Sequence, residues 1–207
     1  MKVEDKNIHV VLDIETLGTK SGSAIVQIGA ICLNPNLVES KLFFTKTIDL
    51  TSNHGMIMDF DTVRWWILQN EFAQHVVFDN KNQTSLVDAL YEFNKWLFSC
   101  TTKHPGLQMW GYGADFDNAL LKAAYDVCGI NPYWTYKENM CLRTFAKLYP
   151  EVARIKPEIP HIAINDAIAQ AEWLEELLFA HGIILPNKIQ EDQIKIEPVT
   201  PDDGIPF

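Results

Sequence analysis

The chain has 207 residues, of which 47% are hydrophobic, and a formal net charge of −10 at pH 7. This length and apolar content predict one domain with a substantial core, and no apolar run is long enough to cross a membrane. The acidic balance argues against tight, non-specific binding of long duplex nucleic acid, which usually requires a basic surface.

The first predicted element carries two acidic residues at its end. Alternating hydrophobic residues in IHVVLDIE predict a strand over residues 8–14. Side chains two positions apart on a strand face the same side, roughly 6.6 Å apart, so Asp13 and Glu15 project together. Carboxylates this close repel unless a cation lies between them, and Mg²⁺ takes oxygen ligands of this kind. An isolated pair with this spacing is also compatible with a solvated strand end.

The rest of the chain predicts alternating helices and strands. Periodicity and turn residues place the further elements as follows: strands over 24–33, 41–48 and 107–112, and helices over 60–70, 84–98, 115–128, 141–148 and 165–181. Three early strands followed by this alternation predict an α/β fold, with a mixed β-sheet flanked by helices. Of Trp65 and Trp66, at least one is expected in the core, and the other is a candidate to line a cleft.

Three further polar residues lie near the starts of the later predicted helices. Asp117 falls in the first turn of the helix that follows the last strand, where an acidic residue also complements the helix dipole. Asp166 lies near the start of the final helix, with Asn165 as its candidate cap. His161 precedes that helix on a loop. Taken singly, each of these residues has an ordinary structural explanation.

The acidic and histidine motifs together resemble a known enzyme superfamily. In order along the chain, D-x-E, F-D and H-x(4)-D are similar to the motifs of the DnaQ-like DEDDh 3′–5′ exonucleases, which have an RNase H-like fold. The segments AIVQIGA and DTVRWW, and the paired WG and FDN, resemble the phage-type branch of that superfamily. Tyr112 stands where this branch often has Asn, and Cys141 where relatives often have Asp. These two departures bear on substrate preference.

The resemblance implies a metal-dependent exonuclease that uses two Mg²⁺ or Mn²⁺ ions. Asp13 would bridge both ions, and Glu15 and Asp166 would complete the ligands of the ion that holds the attacking water. Asp117 would support the second ion. His161 would be the general base, a role for which imidazole is the side chain most often used. The expected product is a nucleoside 5′-monophosphate released from a free 3′ end.

The resemblance also implies residues that contact the substrate. Thr16 and Leu17 would meet the terminal nucleotide, by backbone contact and by wedging against the last base, and Phe116 is a candidate to stack on a base. Single-stranded DNA is the favoured substrate. An RNase T-like exoribonuclease remains open, because the chemistry is identical and only contacts near the 2′-OH would discriminate. An adaptor protein that uses the fold as a scaffold is a second alternative.

The composition changes at Pro186, which predicts a domain over residues 1–185 and a flexible acidic tail over 186–207. The last six residues, DDGIPF, resemble the acidic C-terminal tip of bacterial single-stranded-DNA-binding proteins. The resemblance implies docking on replication or repair proteins that recognise this tip. The residues that would make this contact are Asp202, Asp203, Ile205, Pro206 and Phe207. A solvated acidic terminus is the alternative.

The cysteines and the N-terminal segment bear on location. Cys32, Cys100, Cys128 and Cys141 show no C-x-x-C spacing, and the segment MKVEDKNIHVV has no apolar stretch of the kind found in secretory signals. These features predict reduced thiols in the cytoplasm of a bacterial or phage-infected cell.

Overall fold

The computed structural model describes residues 3–33, 43–78, 81–101 and 106–184, and its centre is a six-stranded mixed sheet. The strands are β1 (Val3–Glu4), β2 (Ile8–Thr16), β3 (Ile25–Leu33), β4 (Phe43–Ile48), β5 (Gln83–Thr84), β6 (Leu107–Gly111), β7 (Asn139–Cys141) and β8 (Ile183–Ile184). The sheet order is β5-β4-β3-β2-β6-β7, in which only the β2–β3 and β3–β4 pairs are antiparallel. The short strands β1 and β8 pair in parallel as a separate two-stranded sheet.

Helices cover both faces of the sheet, which confirms the predicted α/β architecture. The helices are α1 (Phe60–Ile67), α2 (Glu71–Phe78), α3 (Leu86–Thr101), α4 (Asp117–Cys128), α5 (Leu142–Ala146) and α6 (Ala163–Ala180). Helices α3 and α4 pack with the sheet in one hydrophobic cluster, and α5 and α6 pack in a second cluster. Within the described parts of the chain, no helix combines the length and apolar character that a membrane span requires.

Strand β2 lies at the centre of the sheet and is packed on both faces. Its even-numbered residues from Ile8 to Ile14 belong to the cluster with α3 and α4, whereas Val11 belongs to the cluster with α6. Because side chains alternate along a strand, Asp13 and Glu15 face the same side as Val11. The two predicted ligands therefore point towards α6.

Two residues of β3 allow α6 to begin directly over these acids. Gly29 is paired with Asp13, and a Cβ atom at Gly29 would lie 2.3 Å from the backbone of Ala163, so only glycine permits this approach. Gln27 is paired with Glu15, and its Oε1 accepts a 2.7 Å hydrogen bond from the backbone N–H of Ala163. This long-range contact satisfies one of the donors that a helix start leaves free.

The helix predicted over 60–70 is shorter in the structure, because α1 ends at Ile67. Helix α2, which the sequence did not predict, follows it, and Oδ1 of Asn70 accepts a 2.9 Å hydrogen bond from the backbone N–H of Phe72 in its first turn. The expectation for the tryptophan pair holds. Trp66 is 1% exposed and Trp65 is 40% exposed.

Other differences concern short elements and helix ends. The three-residue strand β7 was not predicted, because it is too short to show a period; it immediately precedes the helix predicted over 141–148 and includes the first residue of that prediction, Cys141. The first two residues of the strand predicted over 41–48 lie outside the described residues. Asn165 is not the cap of α6. Its Nδ2 donates to the carbonyl of Ile159, and the helix begins two residues earlier, at Ala163.

Candidate active site

All five residues predicted to carry catalysis line one cleft beyond the C-terminal ends of β2 and β6. Strand β2 supplies two acids, the first turns of α4 and α6 supply one acid each, and the loop before α6 supplies the histidine. The cleft is lined by Asp13, Ile14, Glu15, Tyr112, Gly113, Phe116, Asp117, Arg143, Arg154, His161, Asp166 and Gln170. Segments more than a hundred residues apart in sequence therefore meet at one site.

Three of the carboxylates converge closely enough to share a cation. Asp13, Glu15 and Asp166 each offer an oxygen, and these oxygens all lie within 4.8 Å of one another. The backbone N–H of His161 donates a 2.7 Å hydrogen bond to Oδ2 of Asp166, which fixes that carboxylate. Mg²⁺ and Mn²⁺ are bound by oxygen ligands, so this donor set fits a divalent cation.

The electrostatics of the cleft also fit a cation. Burial, reinforced by the charges of Asp117, Glu15 and Asp166, raises the pKa of Asp13 well above its usual range. Burial and the neighbouring acids raise the pKa of Glu15 to about 8, and burial raises the pKa of Asp117 to about 6. Burial also raises the pKa of Asp166. In the part of the chain that the structure describes, no lysine or arginine lies within 4.0 Å of these carboxylates. The charges of His161 and Arg154 lower the pKa of Asp166 and offset only part of the effect of burial.

Asp117 is held in place by the glycines that precede α4. A Cβ atom at Gly111 would lie 2.9 Å from the Cβ of Asp117, so the glycine at the end of β6 makes room for the first turn of the helix. The backbone N–H of Gly113 donates to Oδ2 of Asp117 at 3.3 Å. Asn118, which is fully buried, donates to the carbonyl of Met109 at 3.0 Å and ties this turn to β6.

Gln170 is a cleft residue that the sequence reasoning missed. Its Nε2 donates a 2.7 Å hydrogen bond to Oδ1 of Asp13, and its buried Oε1 has no hydrogen-bond partner among the residues that the structure describes. Gln170 lies four residues after Asp166, one turn along the same face of α6, and this spacing is the signal that points to it. The contact orients Asp13 and leaves its second oxygen available to a cation.

His161 has an unusual backbone conformation and an aromatic neighbour. Its φ is +66°, in the left-handed region that non-glycine residues seldom adopt. The imidazole packs edge-on against Trp65, with the ring centroids 4.7 Å apart and the planes at 84°. Strained conformations of this kind persist where the surrounding structure holds them in place. Here the N–H bond to Asp166 and the contact with Trp65 direct the imidazole towards the acids.

The three predicted substrate residues differ in their placement. Thr16 lines a second groove next to the cleft, although its Oγ1 donates to the carbonyl of Gly18. Phe116 lines both the cleft and this groove, and it also packs partly against the core. Leu17 is 3% exposed, packs in a hydrophobic cluster with Trp66, and has both backbone groups in hydrogen bonds. The structure therefore does not place Leu17 on the surface of the cleft, where a wedge against a base would have to lie.

The predicted partner-binding residues lie outside the described residues. Asp202, Asp203, Ile205, Pro206 and Phe207 all belong to the segment 185–207, so the role assigned to them stays a prediction from the sequence.

The raised pKa of Glu15 predicts how the stability of the metal-free protein depends on pH. A carboxyl whose pKa is higher in the folded state binds its proton more tightly there. The resulting stabilisation is complete below about pH 4.5 and is lost as the pH rises through about 8. We expect the melting temperature in EDTA to fall between about pH 5.5 and pH 8.5, by an amount equivalent to at least about 1 kcal/mol, which is about 2–4 °C for a chain of this size.

The Glu15→Gln variant is the matched control for this titration. Asp13, Asp117, Asp166, His161 and Arg154 also line the cleft around Glu15. The difference between the two proteins therefore reports the Glu15 carboxyl together with its effect on the ionisation of Asp13. We expect the variant to show a shallower pH dependence. Mn²⁺ should raise the melting temperature of the native chain mainly at the upper end of the range, where the ligands are ionised. Identical pH profiles for the two proteins in EDTA would contradict the prediction.

Comparison with known proteins supports the same fold. The chain is 24% identical to an exodeoxyribonuclease of Enterobacteria phage T4 over 126 residues, which are 54% of this chain and 52% of the phage protein. A structure of E. coli exonuclease I in complex with a dA16 oligonucleotide matches 84% of this chain with a TM-score of 0.58 and 15% identity. An ExoI/SSB-Ct complex matches 85% of it with a TM-score of 0.56 and 15% identity.

These likenesses cover only part of each relative. This chain spans about half the length of the phage protein, and 41% and 42% of the two exonuclease I chains. The solved structures therefore show the fold. The assignment of the chain to a family depends on a longer match. The family model described as a 3′-5′ exoribonuclease Rv2179c-like domain matches residues 8–178, a range that includes all five predicted catalytic residues. The chain belongs to the Rv2179c-like 3′–5′ exoribonuclease domain family, within the predicted DEDDh exonuclease superfamily.

Proposed function

We propose that this protein is a divalent-metal-dependent 3′–5′ exonuclease that releases nucleoside 5′-monophosphates from single-stranded nucleic acid. The observation that carries the proposal is the convergence of Asp13, Glu15 and Asp166, whose oxygens lie within 4.8 Å of one another in a cleft that also contains His161 and Asp117. Membership of an exoribonuclease domain family supports the same reaction.

Different residues of the cleft have different roles in the reaction. Two Mg²⁺ or Mn²⁺ ions, held by Asp13, Glu15, Asp117 and Asp166, would supply positive charge to the attacking and leaving oxygens of the displacement. The imidazole of His161 takes a proton from the attacking water. The bond between phosphorus and the 3′ oxygen breaks, that oxygen takes up a proton from solvent water, and the oxygen of the attacking water is retained on the 5′-phosphate of the released nucleotide. The shortened strand keeps a free 3′-OH and is ready for the next cycle.

Two kinds of nucleic acid, DNA and RNA, are candidate substrates. Single-stranded DNA is favoured by the phage-type motifs, and it is supported by the similarity to a phage exodeoxyribonuclease and to exonuclease I bound to dA16. RNA is the second candidate, because the matching family is described by exoribonuclease activity. Both substrates use the same carboxylates and the same base. The choice depends on contacts near the 2′-OH of the terminal sugar.

A degradation assay on matched strands tests both candidates. DNA and RNA oligonucleotides of one sequence, labelled at the 5′ end, would be incubated with the protein in Mg²⁺ or Mn²⁺. The proposal predicts a ladder that shortens from the 3′ end and does not form in EDTA, and the faster substrate identifies the preferred nucleic acid. Failure to cleave either strand with either metal would contradict the proposal and favour the adaptor alternative.

A role in partner binding is proposed for the C-terminal segment on sequence grounds. DDGIPF combines two acids with an apolar Ile-Pro-Phe end, which suits an apolar pocket with a basic rim, and one structural neighbour is an ExoI/SSB-Ct complex. Deleting Ile205 to Phe207 should abolish binding to a protein that recognises the tip of single-stranded-DNA-binding proteins, and cleavage of naked strands should be unchanged. Equal binding by the truncated chain would refute the role.

A further inference from the structure

Charge is distributed unevenly around the candidate active site. The cleft with the catalytic acids is joined to a second groove, and Ile14, Glu15 and Phe116 line both. The second groove, which we call the acidic groove, is further lined by Thr16, Thr19, Asp59, Asp61, Thr62 and Trp65. No lysine or arginine contributes to its described lining. Arg143 and Arg154, by contrast, line the cleft with the catalytic acids and are not part of the described lining of the acidic groove.

Both guanidinium groups are held against one aromatic ring. The Cζ of Arg154 lies 4.4 Å from the centroid of the Tyr112 ring, and the Cζ of Arg143 lies 5.2 Å from it. Nη1 of Arg154 also lies 3.3 Å from the hydroxyl oxygen of Tyr112, and Nε of Arg143 donates to the Tyr112 carbonyl at 3.4 Å. The tyrosine therefore orders two long cationic side chains that would otherwise be free to move.

These contacts leave most of the guanidinium donors available. A guanidinium carries five N–H donors in a planar fork that suits the bidentate recognition of phosphate. Arg143 has one ion pair, at 3.9 Å to Asp115, whose side chain is 91% exposed, and a surface pair of this kind contributes little. For Arg154, no ion pair within 4.0 Å is found among residues 3–33, 43–78, 81–101 and 106–184. The charge of Arg154 also acts on Asp166 and lowers the pKa of that carboxyl, but the hydrogen-bond donors of both guanidinium groups that face away from Tyr112 stay available to an anionic ligand.

We infer that Arg143 and Arg154, ordered by Tyr112, form a phosphate clamp that binds the backbone of the nucleic-acid strand on the 5′ side of the bond to be cleaved. The inference rests on the proposed exonuclease function and adds to it the path of the strand. The 3′-terminal nucleoside has no phosphate beyond the scissile one, so the acidic groove can accept it. The remaining phosphates would be repelled there by Asp59 and Asp61, which are not among the proposed metal ligands, and they must leave the cleft over the arginines.

Tyr112 is the uncharged member of the clamp and orders both guanidinium groups. The phage-type branch often has Asn at this position, and an Asn cannot order two guanidinium groups on a ring face. Substitution of the tyrosine should therefore weaken strand binding even though its own ring has no charge. Tyr112 is a positioning residue in this account, because it acts through the two arginines.

Equilibrium binding of a 5′-fluorescent single strand tests the clamp separately from cleavage. The Asp13→Asn chain serves as the parent, and Arg143→Ala, Arg154→Ala, Arg154→Lys and Tyr112→Ala are added to it one at a time. Each alanine variant at an arginine should weaken binding about tenfold and reduce the slope of log K against log salt by about 0.7, which is the value expected for one lost phosphate contact on a single strand. Arg154→Lys should keep the salt dependence of binding but lose part of the affinity. Lysine keeps the positive charge, but it lacks the planar arrangement of donors with which arginine binds a phosphate through two hydrogen bonds.

Lys122→Ala is the matched control, since Lys122 is a half-exposed cation that pairs with Asp126 on α4 and does not line the cleft. Its affinity and salt slope should equal those of the parent. Melting temperatures within a degree or so of the parent would show that the variants are folded. Equal affinity and equal slope in the parent and both arginine variants would overturn the clamp while leaving the exonuclease proposal in place. A native chain that neither binds nor cleaves single strands would overturn both.

Discussion

Replacement of Asp13 by Asn is expected to reduce the rate of cleavage from the 3′ end by at least about a thousandfold. The loss corresponds to about 4 kcal/mol of transition-state stabilisation, which is within the range that a correctly placed metal ion supplies. The amide keeps the shape and the capacity to bond to Gln170, but it removes the charge that faces Glu15 and Asp166. Rates are compared on a 5′-labelled single strand in Mg²⁺ and in Mn²⁺.

The same substitution should leave the metal-free protein as stable as the native chain or more stable. Burial of Asp13 among Asp117, Glu15 and Asp166 opposes its ionisation, and the neutral amide removes that repulsion. Asp126→Asn is the matched control, because it exchanges an exposed acid on α4 for the same amide, and it should keep the native rate. Native-rate cleavage by the Asp13→Asn protein, purified free of host nucleases, would be inconsistent with the site.

Removal of the imidazole of His161 is expected to reduce the rate by about 10²–10⁴-fold, the usual contribution of a positioned general base. His161→Asn and His161→Ala should lose similar amounts of rate but differ in stability. The backbone at this position has a φ of +66°, which Asn tolerates better than Ala does. Thermal unfolding of both variants beside single-turnover cleavage separates the catalytic effect from the backbone effect.

A pH series distinguishes a base from a structural histidine. If His161 accepts the proton of water, the rate of the Asn variant should rise with pH across the neutral range, because hydroxide replaces the missing base. Trp65→Phe is the companion variant, since it keeps an aromatic edge beside the imidazole and should keep the pH profile of the native chain, whatever its effect on the nucleoside in the acidic groove. Retention of more than about a tenth of the native rate by His161→Asn would exclude the assigned role, given the size of general-base effects.

The parts of the site that lie on regular elements could be predicted from the sequence. Alternation along β2 places Asp13 and Glu15 on one face, and helical periodicity places Asp117 and Asp166 in first turns. These predictions depend only on residues that are close to one another in the sequence. The order of the motifs then links the four acids with His161 through the resemblance to exonucleases.

The remaining features depend on contacts between distant segments, which periodicity cannot show. Helix α6 begins two residues earlier than expected because its first N–H is bound by Gln27, which is 136 residues away. Leu17 packs in a core cluster with Trp66, so the wedge expected from the resemblance is buried. The stacking of Arg143 and Arg154 on Tyr112 joins three separate segments, and no local pattern in the sequence marks it.

The fate of the water oxygen tests the proposed reaction most directly. A single strand would be digested in water enriched in oxygen-18, and the smallest product would be examined by mass spectrometry. We predict a nucleoside 5′-monophosphate that carries one heavy oxygen on its phosphate and is released only in the presence of Mg²⁺ or Mn²⁺. Release of nucleosides with 3′-phosphates, or of internal fragments without mononucleotides, would contradict this prediction.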